Sequence, residues 1–141
     1  MSARNVEIVK AMNEAYTAGE YFEALQVLDP EIVWYGTKGG LDEHMVARGH
    51  EEVINGFADN LMTWERLSLD YEQYIDAGDQ VVVFVHEVAR GLESGVEVET
   101  DTAVVFRIEN DRIVQARGYM DRAEALEAVG LSEQDAHADS S

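Results

Sequence analysis

The spacing of apolar positions changes near the middle of this chain. It is three to four residues before Leu67 and two residues after it. Early on, Val6, Val9, Met12 and Tyr16 share one face of a predicted helix over 5–18. Asn5 suits its N-cap, Glu7 its first turn and Gly19 its stop. A second helix over 21–28 turns Phe22, Leu25 and Leu28 inward and ends at Asp29-Pro30. Ile32-Val33-Trp34-Tyr35 is β-branched and aromatic, which predicts a strand. Residues 36–49 are broken by glycines and read as a loop. Helical spacing returns over 50–64 through Val53, Ile54, Phe57 and Leu61, with Trp64 capping the end.

Beyond Leu67 the chain reads as strands. Leu69, Tyr71, Gln73 and Ile75 alternate with Asp70, Glu72, Tyr74 and Asp76, and Ala77-Gly78-Asp79 turns the chain. Residues 80–90 are almost continuously apolar, as in a central strand covered on both faces. From Val96 to Arg107 the alternation is clearest, and period two puts Val96, Val98, Thr100, Thr102, Val104 and Phe106 on the inner row. Asn110-Asp111 closes a hairpin into 113–120, whose small inner row is Val114, Ala116, Gly118 and Met120. A short helix over 122–129 follows, with Asp121 as its cap and Gly130 as its stop. The expected fold is α+β: a curved antiparallel sheet wrapped around the N-terminal helices, forming a cone with one pocket. Residues 1–131 form one domain, and 132–141 are a polar, disordered tail by composition.

A chain of 141 residues suits a single core. The 29 acidic against 10 basic residues, a formal net charge of −19, exclude a nucleic-acid partner and disfavour anionic membranes. With no cysteine, disulfides and thiolate metal sites are excluded. No segment reaches the ~20 apolar residues of a membrane span, and the N-terminus lacks the apolar core of a signal peptide, so a cytoplasmic protein is expected.

Several local features, in this order, resemble the ketosteroid-isomerase-like (nuclear-transport-factor-2-like) superfamily and its SnoaL-like members. They are Thr17-Ala18-Gly19-Glu20, Leu28-Asp29-Pro30-Glu31-Ile32-Val33-Trp34, Phe106-Arg107-Ile108, Asp111-Arg112-Ile113-Val114 and Tyr119-Met120-Asp121-Arg122. The resemblance covers about Asn5 to Leu131. It implies a cofactor-free and metal-free pocket for a small, largely apolar molecule, and a homodimer. It also allows each catalytic position to be checked. The base, the Tyr and the second Asp of ketosteroid isomerase fall on Gly36, Met12 and Val104. The Asp and His of SnoaL-like cyclases fall on Gly118 and Val104. The Asp-Arg-Asp relay of limonene epoxide hydrolases falls on Gly118, Val85 and Glu87. Only Glu87 retains an acid.

Glu87 is thus the candidate catalytic group. Within Val81–Val88 either His86 or Glu87 points inward, and periodicity alone leaves the choice open. The resemblance puts Glu87 in the pocket and His86 on the outer face, where family dimers pair. A carboxyl among apolar walls gains proton affinity and suits isomerase- or cyclase-type proton transfer, unless a neighbouring Tyr, Trp or Arg bonds it. Expected ligand contacts are Met12, Tyr16, Trp34, Met62, Val85, Thr102, Val104, Ala116 and Gly118. The small residues among these are expected to leave empty volume. Asp42, Glu43, His44 and His50 match no metal-ligand spacing and read as a solvated loop. Glu97, Glu99 and Asp101 form a solvated outer row unless Arg107 or Arg117 pairs with it. The competing readings are a non-catalytic binding module and a structural dimer using Phe84, His86 and Tyr119.

Overall fold

The computed structural model describes residues 2–134, leaving out the side chains of residues 2 and 60–63. Its elements in chain order are α1 (Ser2–Thr17), α2 (Tyr21–Leu25), β1 (Leu28–Lys38), β2 (Val46–Arg48), α3 (Gly49–Thr63), β3 (Trp64–Ala77), β4 (Gln80–Gly91), β5 (Glu97–Glu109), β6 (Arg112–Tyr119) and α4 (Arg122–Ala128). The strands form one sheet in the order β2-β1-β6-β5-β4-β3. It is mixed rather than wholly antiparallel, because β1 runs parallel to β6, with Trp34 opposite Ala116.

The sheet buries both faces, and the two sets of residues sort by parity. On the concave side Val81, Val83, Val85, Phe106, Ala116, Ile32 and Leu28 pack with Val9 and Met12 of α1 and with Val53 and Phe57 of α3. On the other side Val82, Ala103, Val105 and Tyr119 meet Ala125 and Leu126 of α4. A strand buried on both faces has no polar stripe, which is why 80–90 is so continuously apolar. Tyr119, expected at a dimer surface, is instead covered within its own chain. Asp121 accepts the amide of Ala123 at 2.8 Å, the cap that starts α4. Trp64 is the C-cap of α3. Asn110 and Asp111 both adopt positive φ, as a two-residue hairpin turn with right-handed strand twist requires.

Several details differ from the sequence expectation, among them the end of α2 at Leu25 and Phe22, which is exposed rather than inward. Asn5 lies inside α1, where its amide donates to the Gly78 carbonyl at 2.9 Å rather than capping the helix. The stretch 36–49 contains β2, whose Ala47 pairs with Trp34. Two of the register shifts in the sheet change which side chains meet the core. In β3 the shift lies between Tyr71 and Gln73, so both Tyr71 and Tyr74 reach the concave side while Ile75 turns away. In β6, Ile108 pairs with Ile113 while Phe106 pairs with Ala116; Ile113, not Val114, therefore continues the inner row. An extra residue in one strand reverses the facing of everything beyond it.

Candidate functional site

The concave side of β4 and its neighbours places the candidate acid. Val81, Val83 and Val85 face the core there, and Glu87 continues their row. Across the sheet it stands opposite Leu69 of β3 and Thr100 of β5. Its side chain is half-buried and has no hydrogen-bond or ion-pair partner among the described residues. Burial, and next the charge of Asp42, hold its carboxyl above the usual glutamate range. His86 takes the opposite face, with Nδ1 2.7 Å from an Asp101 oxygen and Nε2 3.4 Å from Glu99. The acidic row is therefore served by His86, and by Arg122 at 3.6 Å from Asp101. Arg107 pairs instead with Glu109, and Arg117 stacks over Tyr35 at 4.1 Å.

Several inner-row side chains remain partly open to solvent: Leu69, Tyr71 and Thr102 on the strands that flank Glu87, and Trp34 and Val104 farther along the sheet. Below them the wall closes. Trp34 packs edge-on against Phe57 (5.4 Å between centroids) and Phe106 (5.8 Å). Tyr16 meets Phe57 at 4.7 Å. Met12 is 2% exposed, and Val85 and Ala116 are likewise core. Met62 has its side chain outside the described residues. Among the described residues, the Tyr21 hydroxyl is buried beside these rings without a hydrogen-bond partner.

The space beside the two glycines that the resemblance aligns with catalytic residues, Gly36 and Gly118, is filled rather than empty. A Cβ on Gly118 would come within 2.6 Å of Thr37 Oγ1 and 3.2 Å of Thr37 Cβ. A Cβ on Gly36 would collide with the Asp42 carbonyl. The segment 39–45 is folded back here by hydrogen bonds from Gly36 N to Met45 O (2.8 Å) and from Met45 N to Asp42 O (2.9 Å). Asp42 Oδ1 accepts the Thr37 amide at 3.3 Å. Small residues at 36 and 118 thus make room for backbone and a threonine, and less volume is left than the sequence suggests.

Tyr71 is a site residue that sequence reasoning overlooked. Its hydroxyl lies 3.0 Å from Thr17 Oγ1, and burial pushes its pKa up to about 12. The phenol therefore stays protonated while Glu87 beside it titrates. The only sequence signal was its place in the same alternating row as Leu69. His50 bonds the Leu28 carbonyl at 2.8 Å, and His44 is exposed. Among the described residues no three His, Asp or Glu side chains gather as a metal site, and no helix is long and apolar enough to cross a membrane.

Comparison with known proteins agrees with this architecture. An NTF2-like protein of unknown function from Burkholderia pseudomallei superimposes with a TM-score of 0.75 at 25% identity, over 92% of this chain and 99% of that one. TerC, crystallised with polyporic acid, gives 0.73 at 18% identity over 89% and 98%. A protein of ketosteroid-isomerase-like fold from Catenulispora acidiphila, in complex with trimethylamine, gives 0.70 at 17% over 91% and 95%. No functionally curated protein shows significant similarity. The SnoaL-like domain family matches residues 9–116, and the chain belongs to that family.

Proposed function

We propose that this protein binds a small, largely apolar metabolite on the concave face of the sheet, and that Glu87 moves a proton on it without a cofactor, in an isomerase- or cyclase-type reaction. The observation that carries the reading is Glu87 itself: a half-buried carboxyl, without a partner among the described residues, facing partly open apolar side chains. Leaving such a group unpaired is costly in a structural role and useful in a chemical one. Its raised proton affinity brings it nearer neutrality, where a general base works best. Trp34, Leu69 and Val104 supply the apolar wall, with Tyr16 and Thr102 at its margins. Among structural neighbours, TerC was crystallised with polyporic acid, a small organic molecule.

The test is proton exchange into weakly acidic C–H bonds of a panel of cyclic enones and β-dicarbonyl compounds, followed by NMR in heavy water. The chain should accelerate exchange for at least one compound, and Glu87→Gln should lower that rate by roughly 10²–10⁴-fold. Equal exchange by the variant would remove Glu87 from the chemistry.

A second reading, a binding module without turnover, is favoured by Gly36, Val104 and Gly118, which carry no proton-moving group. Saturable binding of a compound by both wild type and Glu87→Gln, with exchange in neither, would establish it. In both readings the protein acts in the cytoplasm as a homodimer, which light scattering across a dilution series would check.

A further inference from the structure

We propose that Arg117 and Tyr35 form a second binding site, on the outer face of the sheet, that takes a small molecule carrying a single carboxylate. This site is separate from Glu87 and goes beyond the role proposed for that residue.

The pairing of β1 with β6 builds it. Trp34 and Ala116 are partners in that ladder and face the concave side, so Tyr35 and Arg117, the next pair along, take the opposite side. There Arg117 stands opposite Val105 of β5, one of the apolar residues of the outer face. Its guanidinium stacks on the Tyr35 ring, 4.1 Å from the centroid, which orients the plane of the fork. The two side chains line a cavity of about 200 Å³ together with Gly36, Lys38 and Glu43.

Arg117 is the cation of this cavity that lacks a counter-charge. Lys38 already meets Glu124 at 2.7 Å. Arg4, Arg90, Arg107 and Arg122 each meet a carboxylate as well. Among the described residues Arg117 meets none, although the chain carries 29 acidic residues, and its Nε is buried without an acceptor. Leaving a charged donor unpaired in this way is costly. An arginine fork matches a carboxylate through two parallel hydrogen bonds, so a carboxylate in the cavity supplies what the chain does not.

The size and charge of the cavity narrow the ligand further. Its volume falls below the ~300–1,000 Å³ of pockets for drug-sized molecules, so the occupant has few atoms. Glu43 on its wall and the net charge of −19 act against a second negative charge. A monocarboxylate is therefore accepted, and phosphate is disfavoured. The acidic surface of a second copy is disfavoured on the same ground.

The test follows the arginine side-chain N–H signals by NMR as sodium acetate replaces sodium chloride at constant ionic strength, with Arg117→Lys assigning the Arg117 signal. Acetate should shift that signal saturably and leave the signal of Arg107 in place. Inorganic phosphate should bind more weakly. Affinities of the variants are read from the acetate methyl signal. Arg117→Lys should weaken binding by roughly tenfold or more, and Tyr35→Leu by roughly two- to tenfold. Glu43→Gln should tighten it and admit phosphate more readily, whereas Glu87→Gln should leave it unchanged. A shift that never saturates, tighter binding of phosphate, or undiminished binding in Arg117→Lys overturns the proposal. So does an inert acetate titration joined to loss of a dimer in Arg117→Lys by light scattering, which would assign Arg117 to a second copy of the chain.

Discussion

His86 Nδ1 and Asp101 Oδ1 stand 2.7 Å apart on the outer face of β4 and β5, directly opposite one another in the ladder. Asp101, then Glu99, raise the imidazole above its ordinary range, and His86 lowers the carboxyl of Asp101. The raised His contributes stability below its unfolded pKa and loses it as pH climbs through the folded value. The lowered Asp contributes above its unfolded pKa and loses it as pH falls through the folded value. The pair is thus intact between the carboxylate and histidine ranges. Asp101→Asn should lower the His86 midpoint in an imidazole NMR titration, with only a small change in stability because the pair is exposed.

Glu87 carries the opposite sign. Its folded pKa lies above that of an unfolded glutamate, so at low pH both states are protonated and the residue adds no penalty. As pH rises the unfolded chain ionises first, and stability falls until the folded value is passed. Glu87→Gln should therefore raise the melting temperature at neutral pH. That gain should fade below the ordinary carboxylate range. A loss of stability in Glu87→Gln at neutral pH would contradict the unpaired carboxylate described here.

Substituting Gly118 tests the packing of Thr37. Gly118→Ala places a methyl 2.6 Å from Thr37 Oγ1 and should cost about 1–3 kcal/mol in denaturant unfolding, the usual penalty of overpacking. Thr37→Ala removes the contacting hydroxyl, so the double variant should recover much of that loss. Strict additivity would show that the two positions do not meet.

Asp121→Ala removes the side-chain cap of α4 and should destabilise the protein by about 1 kcal/mol. Because α4 covers Val82, Ala103 and Val105, fraying it should also speed amide exchange along that side of β4 and β5.

Much of the architecture was legible because long alternating runs leave little choice of facing. Val104 and Phe106 declare their row in the sequence, and the structure has them there. Tyr74 and Val114 were illegible for a physical reason: an extra residue in a strand leaves no mark in composition, yet reverses which side chains meet the core. Glu87 could be placed inward only with help from a resemblance, since a strand buried on both faces loses the polar stripe that would settle it. Asp42 could not be linked to Glu87 at all. The charge of Asp42 acts on Glu87 from a glycine-broken segment whose course is set by shape at Gly36 rather than by any repeating pattern.

The parallel pairing of β1 with β6 bears on how the chain is made. Trp34 leaves the ribosome early, and Ala116, its ladder partner, comes among the last residues of the domain. Until then β1 has only the three-residue β2 beside it, and the apolar surface of Ile32 and Trp34 waits without its central neighbour. Sheets closed by such distant contacts form slowly, since the whole intervening chain must be ordered first. β3, β4 and β5 pair with one another in chain order, whereas the pairing of β1 with β6 becomes available only once the last strand has been made.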